Sequence, residues 1–265
     1  MAQTTIQWCS TLLPNGTFHP GWTFNTHWGC TEQGPECDNC YARVMATRWG
    51  FDIWGNKADR RFFQDEHFKK LLSYNAAAER LKTPLKVFCN SMSDLYEARA
   101  DLVDPRRKLY DKIKVTNWLN YLCLTKLPNQ INRLAPEHDL PNVWYGTSVG
   151  VDKSRWRIDR LNKVKASVRF LSLEPLLQPL PGLDLSGISW AVIGGESGNK
   201  ARPCDPDWIF DFVQQCRAAG VAPFVKQLGT KLAKKMKLKD GKGGDINEWP
   251  EELRVREFPV QNLVL

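Results

Sequence analysis

"SWAVIGGESGNKARPCDPDWIFDFVQQCRAAGVAPFVKQLG", residues 189–229, reads as a strand, a helix and a second strand. The run "SWAVIGGES" (189–197) is apolar until it stops in small and acidic residues. In "CDPDWIFDFVQQCRAAG" (204–220), Asp205 stands as N-cap, Pro206 at the first helical position and Gly220 just past the end, which predicts a helix. "APFVKQLG" (222–229) is again apolar before a polar stop. Near-continuous apolar strands separated by a helix point to a parallel sheet buried on both faces.

Working outward, the same unit recurs. "KVFCNSMSD" (86–94), "NYLCLTK" (120–126), "NVWYGTSV" (142–149) and "SVRFLSLEP" (167–175) are further strand-like runs, and "TFNTHWGC" (23–30) is a first one. Between them "QDEHFKKLLSYNAAAERLK" (64–82) has apolar residues at helical spacing, and "VDPRRKLYDKIKVTN" repeats the Asp-Pro helix start with Asp104 and Pro105. One connection departs from the pattern. "PLLQPLPGLDLSGIS" (175–189) holds three prolines and two glycines, which argues for an irregular loop instead of a crossover helix. The fold class expected is α/β, a full or partial (βα) barrel of about six or seven parallel strands. Residues 1–230 are expected to form that barrel domain, and 231–265, basic and then rich in proline and acidic residues, an appendage to the last strand.

Composition sets bounds on function. No apolar run approaches the ~20 residues a membrane helix needs, and "MAQTTIQWCS" lacks the features of a signal peptide; a cytoplasmic location is expected. Eight cysteines in such a compartment stay reduced, so clustered ones suggest a metal or catalytic role. Cys89 and Cys123 sit in apolar runs and read as buried core. The net charge of +8 and pI near 9.1 fit an anionic partner such as a nucleic acid or nucleotide. The excess concentrates in "RWRIDRLNKVK" (155–165) and "KLAKKMKLKDGKGG" (231–244), each of which also reads as a solvated face.

In parallel sheets the carboxyl ends of the strands line the rim where ligands bind. The residues placed there are Cys30, Asn90, Ser91, Ser93, Asp94, Thr125, Lys126, Thr147, Ser148, Glu174, Glu196, Ser197, Lys226 and Gln227. Glu174 in "SLEP" and Glu196 in "GGES" follow apolar runs directly, where a carboxylate is costly to desolvate unless it meets a cation or a donor. "THWGCTEQGPECDNCYARVM" (26–45) adds three thiols at Cys30, Cys37 and Cys40. With His27 they make a plausible zinc site; alone they could hold a cubane iron–sulfur cluster with one iron open. Spacing does not choose between these, or exclude an unmetallated segment.

"GCTEQGPECDNCYARVM", "VFCNSMSDLY", "VWYGTSV", "FLSLEPLL", "WAVIGGESGNKARPCDPDW" and "FVKQLG" resemble the marker segments of a phage-associated three-cysteine-motif family, a domain of unknown function whose motif is similar to that of radical S-adenosylmethionine enzymes. The resemblance implies a [4Fe-4S] cluster on Cys30, Cys37 and Cys40, with S-adenosylmethionine on the open iron and a three-Cys-motif partner protein. The spacing here is six residues then two, where the radical enzymes use three then two, and Asn39 stands where they carry an aromatic residue. On this reading Asn90, Ser91, Ser93, Asp94, Thr147, Ser148 and Glu174 contact the cofactor, and Lys126, Glu196, Lys226 and Gln227 orient the substrate. The rival expectation is a zinc-stabilised nucleic-acid-binding protein without catalysis. A third is a metal-assisted hydrolase built on Asp94, Glu174 and Glu196.

Overall fold

A computed structural model describes residues 3–260 of the chain; residues 261–265 of the expected appendage lie outside the described residues. Seven strands follow one another in sequence and in space: β1 (Trp22–Phe24), β2 (Leu85–Cys89), β3 (Leu119–Thr125), β4 (Val143–Ser148), β5 (Arg169–Leu173), β6 (Trp190–Gly194) and β7 (Ala222–Gln227). They form one parallel sheet with β1 and β7 at its two edges. The fold is α/β as expected, and of the two forms anticipated it is the partial barrel, because β1 and β7 do not pair. All five residues of β2 and of β6 are buried, which explains why these strands read as near-continuous apolar runs, with Lys86 of β2 the one charged member, rather than alternating ones.

The chain divides into two compact units. The first comprises, of the described residues, 3–32, 42–145 and 164–167. In it β1 pairs with β2 through Trp22–Val87 and Phe24–Cys89, and β2 with β3 from Leu85–Leu119 to Cys89–Cys123. The helices α1 (Tyr41–Arg48), α2 (Asp65–Arg80), α3 (Val103–Ile113) and α4 (Pro128–Leu134) connect the strands. The core includes three phenols in a chain, Tyr96 to Tyr110 and Tyr110 to Tyr145, each O–O distance 2.8 Å; in apolar surroundings each hydroxyl needs such a partner. Two expectations shift here. Helix α3 starts at Val103, directly after a 3-10 turn Ala100–Leu102, so Asp104 lies inside the first turn and is not the cap. The first strand ends at Phe24, and His27–Trp28 instead pairs antiparallel with Arg61–Phe62.

The second unit comprises, of the described residues, 33–41, 146–163 and 168–260. It holds β5 to β7, α5 (Trp156–Asn162), α6 (Pro206–Ala218) and α7 (Thr230–Lys235). Asp205 caps α6, accepting from Asp207 N at 3.0 Å, and Gly220 follows the helix at φ +68°. Ile209, Phe212, Val213 and Cys216 are its buried face, worth roughly 1.5–3 kcal/mol for each large side chain. No helix joins β5 to β6, as the prolines of 175–189 require. The tail leans on the last strand: Val225 N donates to Val255 O at 2.8 Å, and Trp249 is buried.

Candidate functional site

Polar side chains gather at the carboxyl ends of the strands in each unit. In the first, Asn90 follows β2 at φ +57°, a left-handed conformation that asparagine tolerates. Its amide nitrogen donates to Thr26 Oγ1 (3.0 Å) and Ser93 Oγ (2.8 Å), and Ser93 Oγ donates to His27 O (2.8 Å). Ser91 Oγ accepts from Asn25 at 3.2 Å. Asp94 accepts from Thr125 Oγ1 (2.7 and 2.8 Å), Lys126 N (2.9 Å) and Tyr96 N (3.0 Å), tying β2 to β3. Burial pushes its carboxyl up, against the pull of the Thr125 hydroxyl and the backbone donors. The Lys126 side chain is half-buried.

His27 is enclosed, 1% exposed. Its Nδ1 lies 2.8 Å from Thr26 Oγ1 and its Nε2 has no hydrogen-bond partner. Burial, with Arg60 and Arg106 nearby, pulls its pKa down to about 3, so the ring is neutral.

The cysteine segment is held by three arginine–glutamate pairs. Within the first unit, Arg60 meets Glu97 at 3.1 Å, both side chains buried. Glu97 accepts from Thr31 N (2.8 Å) while Arg60 donates to Thr31 Oγ1 (2.9 Å), and Gly55 N donates to Cys30 O (2.9 Å). Within the second unit, Arg157 donates to Glu36 Oε1 (2.8 Å), Ser148 O (2.8 Å) and Gln33 O (3.1 Å). Arg202 grips the next turn, donating to Glu196, to Asp38 (3.0 Å) and to Pro35 O (2.9 Å). Asn39, between Cys37 and Cys40, donates to Glu196 Oε2 (3.0 Å) and Lys200 O (2.9 Å). Burial pushes both carboxyls up. The Ser154 hydroxyl and Arg157 at Glu36, and Arg202 with Asn39 at Glu196, outweigh it and leave both below the usual carboxylate range.

Elsewhere at the strand ends of this unit, Glu174 pairs with Lys226, each about one-fifth exposed. Gln227 donates to Gly195 O at 2.9 Å. Thr147 and Ser148 are buried. The sites anticipated from sequence thus fall into two sets: Cys30, Asn90, Ser91, Ser93, Asp94 and Lys126 in the first unit, and Cys37, Cys40, Thr147, Ser148, Glu174, Glu196, Lys226 and Gln227 in the second. Sequence reasoning missed Arg60, Glu97, Glu36, Arg157, Asn39 and Arg202. Glu36 and Asn39 lie inside the quoted cysteine segment, but their partners are 121 and 157 residues away.

The donor chemistry suits an iron–sulfur cluster. Thiolates are the ligands such clusters use, and none of the eight cysteines is in a disulfide. Cys37 Sγ accepts from Gln33 N at 3.5 Å, the type of hydrogen bond that tunes cluster sulfur. Cys30 and Cys40 are partly exposed, whereas burial pushes Cys9, Cys204 and Cys216 up to about 12, which keeps them inert thiols. Among the described residues no three His, Cys, Asp or Glu side chains are grouped to hold a metal ion.

The chain belongs to the family described as "Protein of unknown function (DUF5131)", whose model matches residues 3–252. No curated protein matches the sequence. Among solved structures, the chain is similar to a spore photoproduct lyase mutant with bound AdoMet and dinucleoside spore photoproduct, at 12% identity and a TM-score of 0.46. That match covers 72% of this chain and 59% of the other, so the chain spans less than two thirds of that protein's length. No helix among the described residues is long and apolar enough to cross a membrane.

Proposed function

We propose that this family member is a radical S-adenosylmethionine-type iron–sulfur enzyme, with Cys30, Cys37 and Cys40 holding a [4Fe-4S] cluster. The observation that carries the reading is the bracing of the segment: each stretch that bears a cysteine is tied by an arginine–carboxylate pair, Arg60–Glu97 at Cys30–Thr31, Arg157–Glu36 before Cys37 and Arg202–Glu196 around Asn39. A loop that had only to be solvated would not need three such pairs, each of which carries a desolvation cost. Such bracing limits how far each cysteine-bearing stretch can move, which favours a ligand loop.

When bound, a reduced cluster with S-adenosylmethionine supplies one-electron cleavage of the sulfonium and abstraction of a hydrogen atom. The chain's own residues bind and orient. Asn90, Ser91, Ser93, Thr147 and Ser148 are assigned to the amino acid and ribose parts of the cofactor, as amide and hydroxyl groups of the kind those parts bind. Asp94 acts indirectly, since its carboxylate joins β2 to β3. Glu174 faces the cofactor, paired with Lys226. Lys126, Lys226 and Gln227 orient the substrate. Glu196 serves that end of the site by holding Asn39 and Arg202 in place.

The test is anaerobic purification and reconstitution with iron and sulfide, followed by the visible spectrum and an assay for 5′-deoxyadenosine under a reductant. A brown protein that cleaves the cofactor, and loses both properties in Cys30→Ala, Cys37→Ala and Cys40→Ala, is the expected result. A colourless protein with one zinc and no cleavage overturns the reading.

A further inference from the structure

We propose that the lysine-rich segment after β7 is a contact surface for the phosphodiester backbone of a nucleic acid. This deepens the reading above by naming a substrate class, and it rests on that reading only in calling the bound nucleic acid a substrate.

Two basic runs stand out in the sequence, and the structure treats them differently. In 155–165, Arg155 pairs with Asp152, Arg157 with Glu36 and Lys165 with Asp139. That run is largely neutralised within the protein. In 231–244, Lys231, Lys234, Lys235, Lys237, Lys239 and Lys242 are all exposed, and among the described residues none of these six ammonium groups has an ion-pair or hydrogen-bond partner. Of the carboxylates at hand, Asp240, Asp245 and Glu248 are spent on backbone amides, whereas Asp207 and Glu252 line a groove together with Lys235. Asp240 accepts from Lys242 N and Gly244 N (2.9 Å each), Glu248 from Lys239 N and Asp240 N (3.0 Å each), and Asp245 from Asn247 N (3.0 Å).

The segment is also held in place. Leu228 N donates to Gly243 O (2.8 Å) and Gly229 N to Lys242 O (3.0 Å), closing the lobe at its base. Thr230 N donates to Glu196 O (2.9 Å), and Gly198 N to Thr230 Oγ1 (3.1 Å). The lysines therefore rise from a segment hydrogen-bonded to the loop whose Glu196 holds Asn39, between two of the cysteines. Six like charges within residues 231–242 repel one another, and a polyanion relieves that repulsion while releasing its own condensed cations.

An anionic membrane is the competing occupant. Binding there calls for an apolar face turned outward beside the charges, but Leu232 and Ala233 are buried and Met236 and Leu238 half-buried. The apolar side of α7 faces the protein, which favours the nucleic acid.

The test uses the full-length protein without iron, labelled single-stranded DNA, single-stranded RNA and duplex DNA as probes, and fluorescence anisotropy across a potassium chloride titration. The expected result is binding of at least one probe whose log–log salt slope becomes shallower by about two to three units in Lys234→Ala/Lys235→Ala/Lys237→Ala. The corresponding triple arginine variant restores the slope, and Arg155→Ala/Lys165→Ala leaves it unchanged. If the first triple fails to fold by circular dichroism, Lys231→Ala/Lys239→Ala/Lys242→Ala must show the same loss. Unaltered binding in the folded triple variants, binding of none of the probes, or capture by phosphatidylserine vesicles alone overturns the proposal. Cofactor cleavage is not read here. Lost cluster chemistry with intact binding counts only against the enzyme, and lost binding with intact chemistry only against the surface.

Discussion

Arg157 donates to Glu36 at 2.8 Å across 121 residues of chain, with both side chains at most 4% exposed. The same guanidinium bonds Ser148 O at the end of β4 and Gln33 O four residues before Cys37. One cation therefore joins a strand end to the cysteine turn.

Removing that cation leaves Glu36 charged in a dry place. Arg157→Leu is expected to lose about 3–5 kcal/mol of stability, read by urea denaturation of the iron-free protein. The double variant Arg157→Leu/Glu36→Leu should recover a good part of the loss, because no unpaired charge remains. A double variant no more stable than the single one would mean the hydrogen bonds to Gln33 and Ser148, not the charges, matter most.

The Arg202–Glu196 pair is more exposed on the arginine side, 30% against 6%, so its contribution is to order the turn more than to stabilise the fold. Glu196→Gln is expected to leave the melting temperature nearly unchanged and to speed alkylation of Cys37 and Cys40 by iodoacetamide several-fold. Cys216, 0% exposed, is the internal control and should stay unreactive.

His27 predicts an acid limb. Its ring takes up a proton near pH 6.5 when the chain is unfolded but only near about 3 in the fold. Between those values the unfolded state binds more protons, so stability falls as the pH is lowered from about 6.5 toward 3, by a total on the order of a few kcal/mol. His27→Asn should flatten that limb in a pH series of chemical denaturation, and an unchanged slope would reject this assignment.

Gly150 tests packing under the turn. A methyl there would lie 2.1 Å from Pro175 O and 2.9 Å from Glu36 Cγ, and the backbone oxygen cannot retreat cheaply. Gly150→Ala is expected to cost about 1–3 kcal/mol and to weaken the Arg157–Glu36 seat, seen as faster alkylation of Cys37. Gly182→Ala is the contrast for space: nothing stands near its would-be methyl, though its φ of +62° adds local strain.

The strands were legible because burial on both faces leaves a local mark: a run such as "SWAVIGG" has nowhere to place a large polar side chain. Asp205, Pro206 and Gly220 were legible for the same reason, since a cap acts on neighbours within a turn. The start of α3 was misplaced because a 3-10 turn can feed a helix without any capping residue.

The sequence by itself determined the alternation of strand and helix, the three thiols and the polar residues at the strand ends, all of which depend on contacts a few residues apart. Only the tertiary structure decided which arginine meets which glutamate around those thiols, that Asp94 and Glu196 are occupied by neighbours, and that one lysine run is paired while the other is not. Ion pairs between residues more than a hundred positions apart are set by how the strands bring their ends together. Charge alone, read along a chain, carries no record of that.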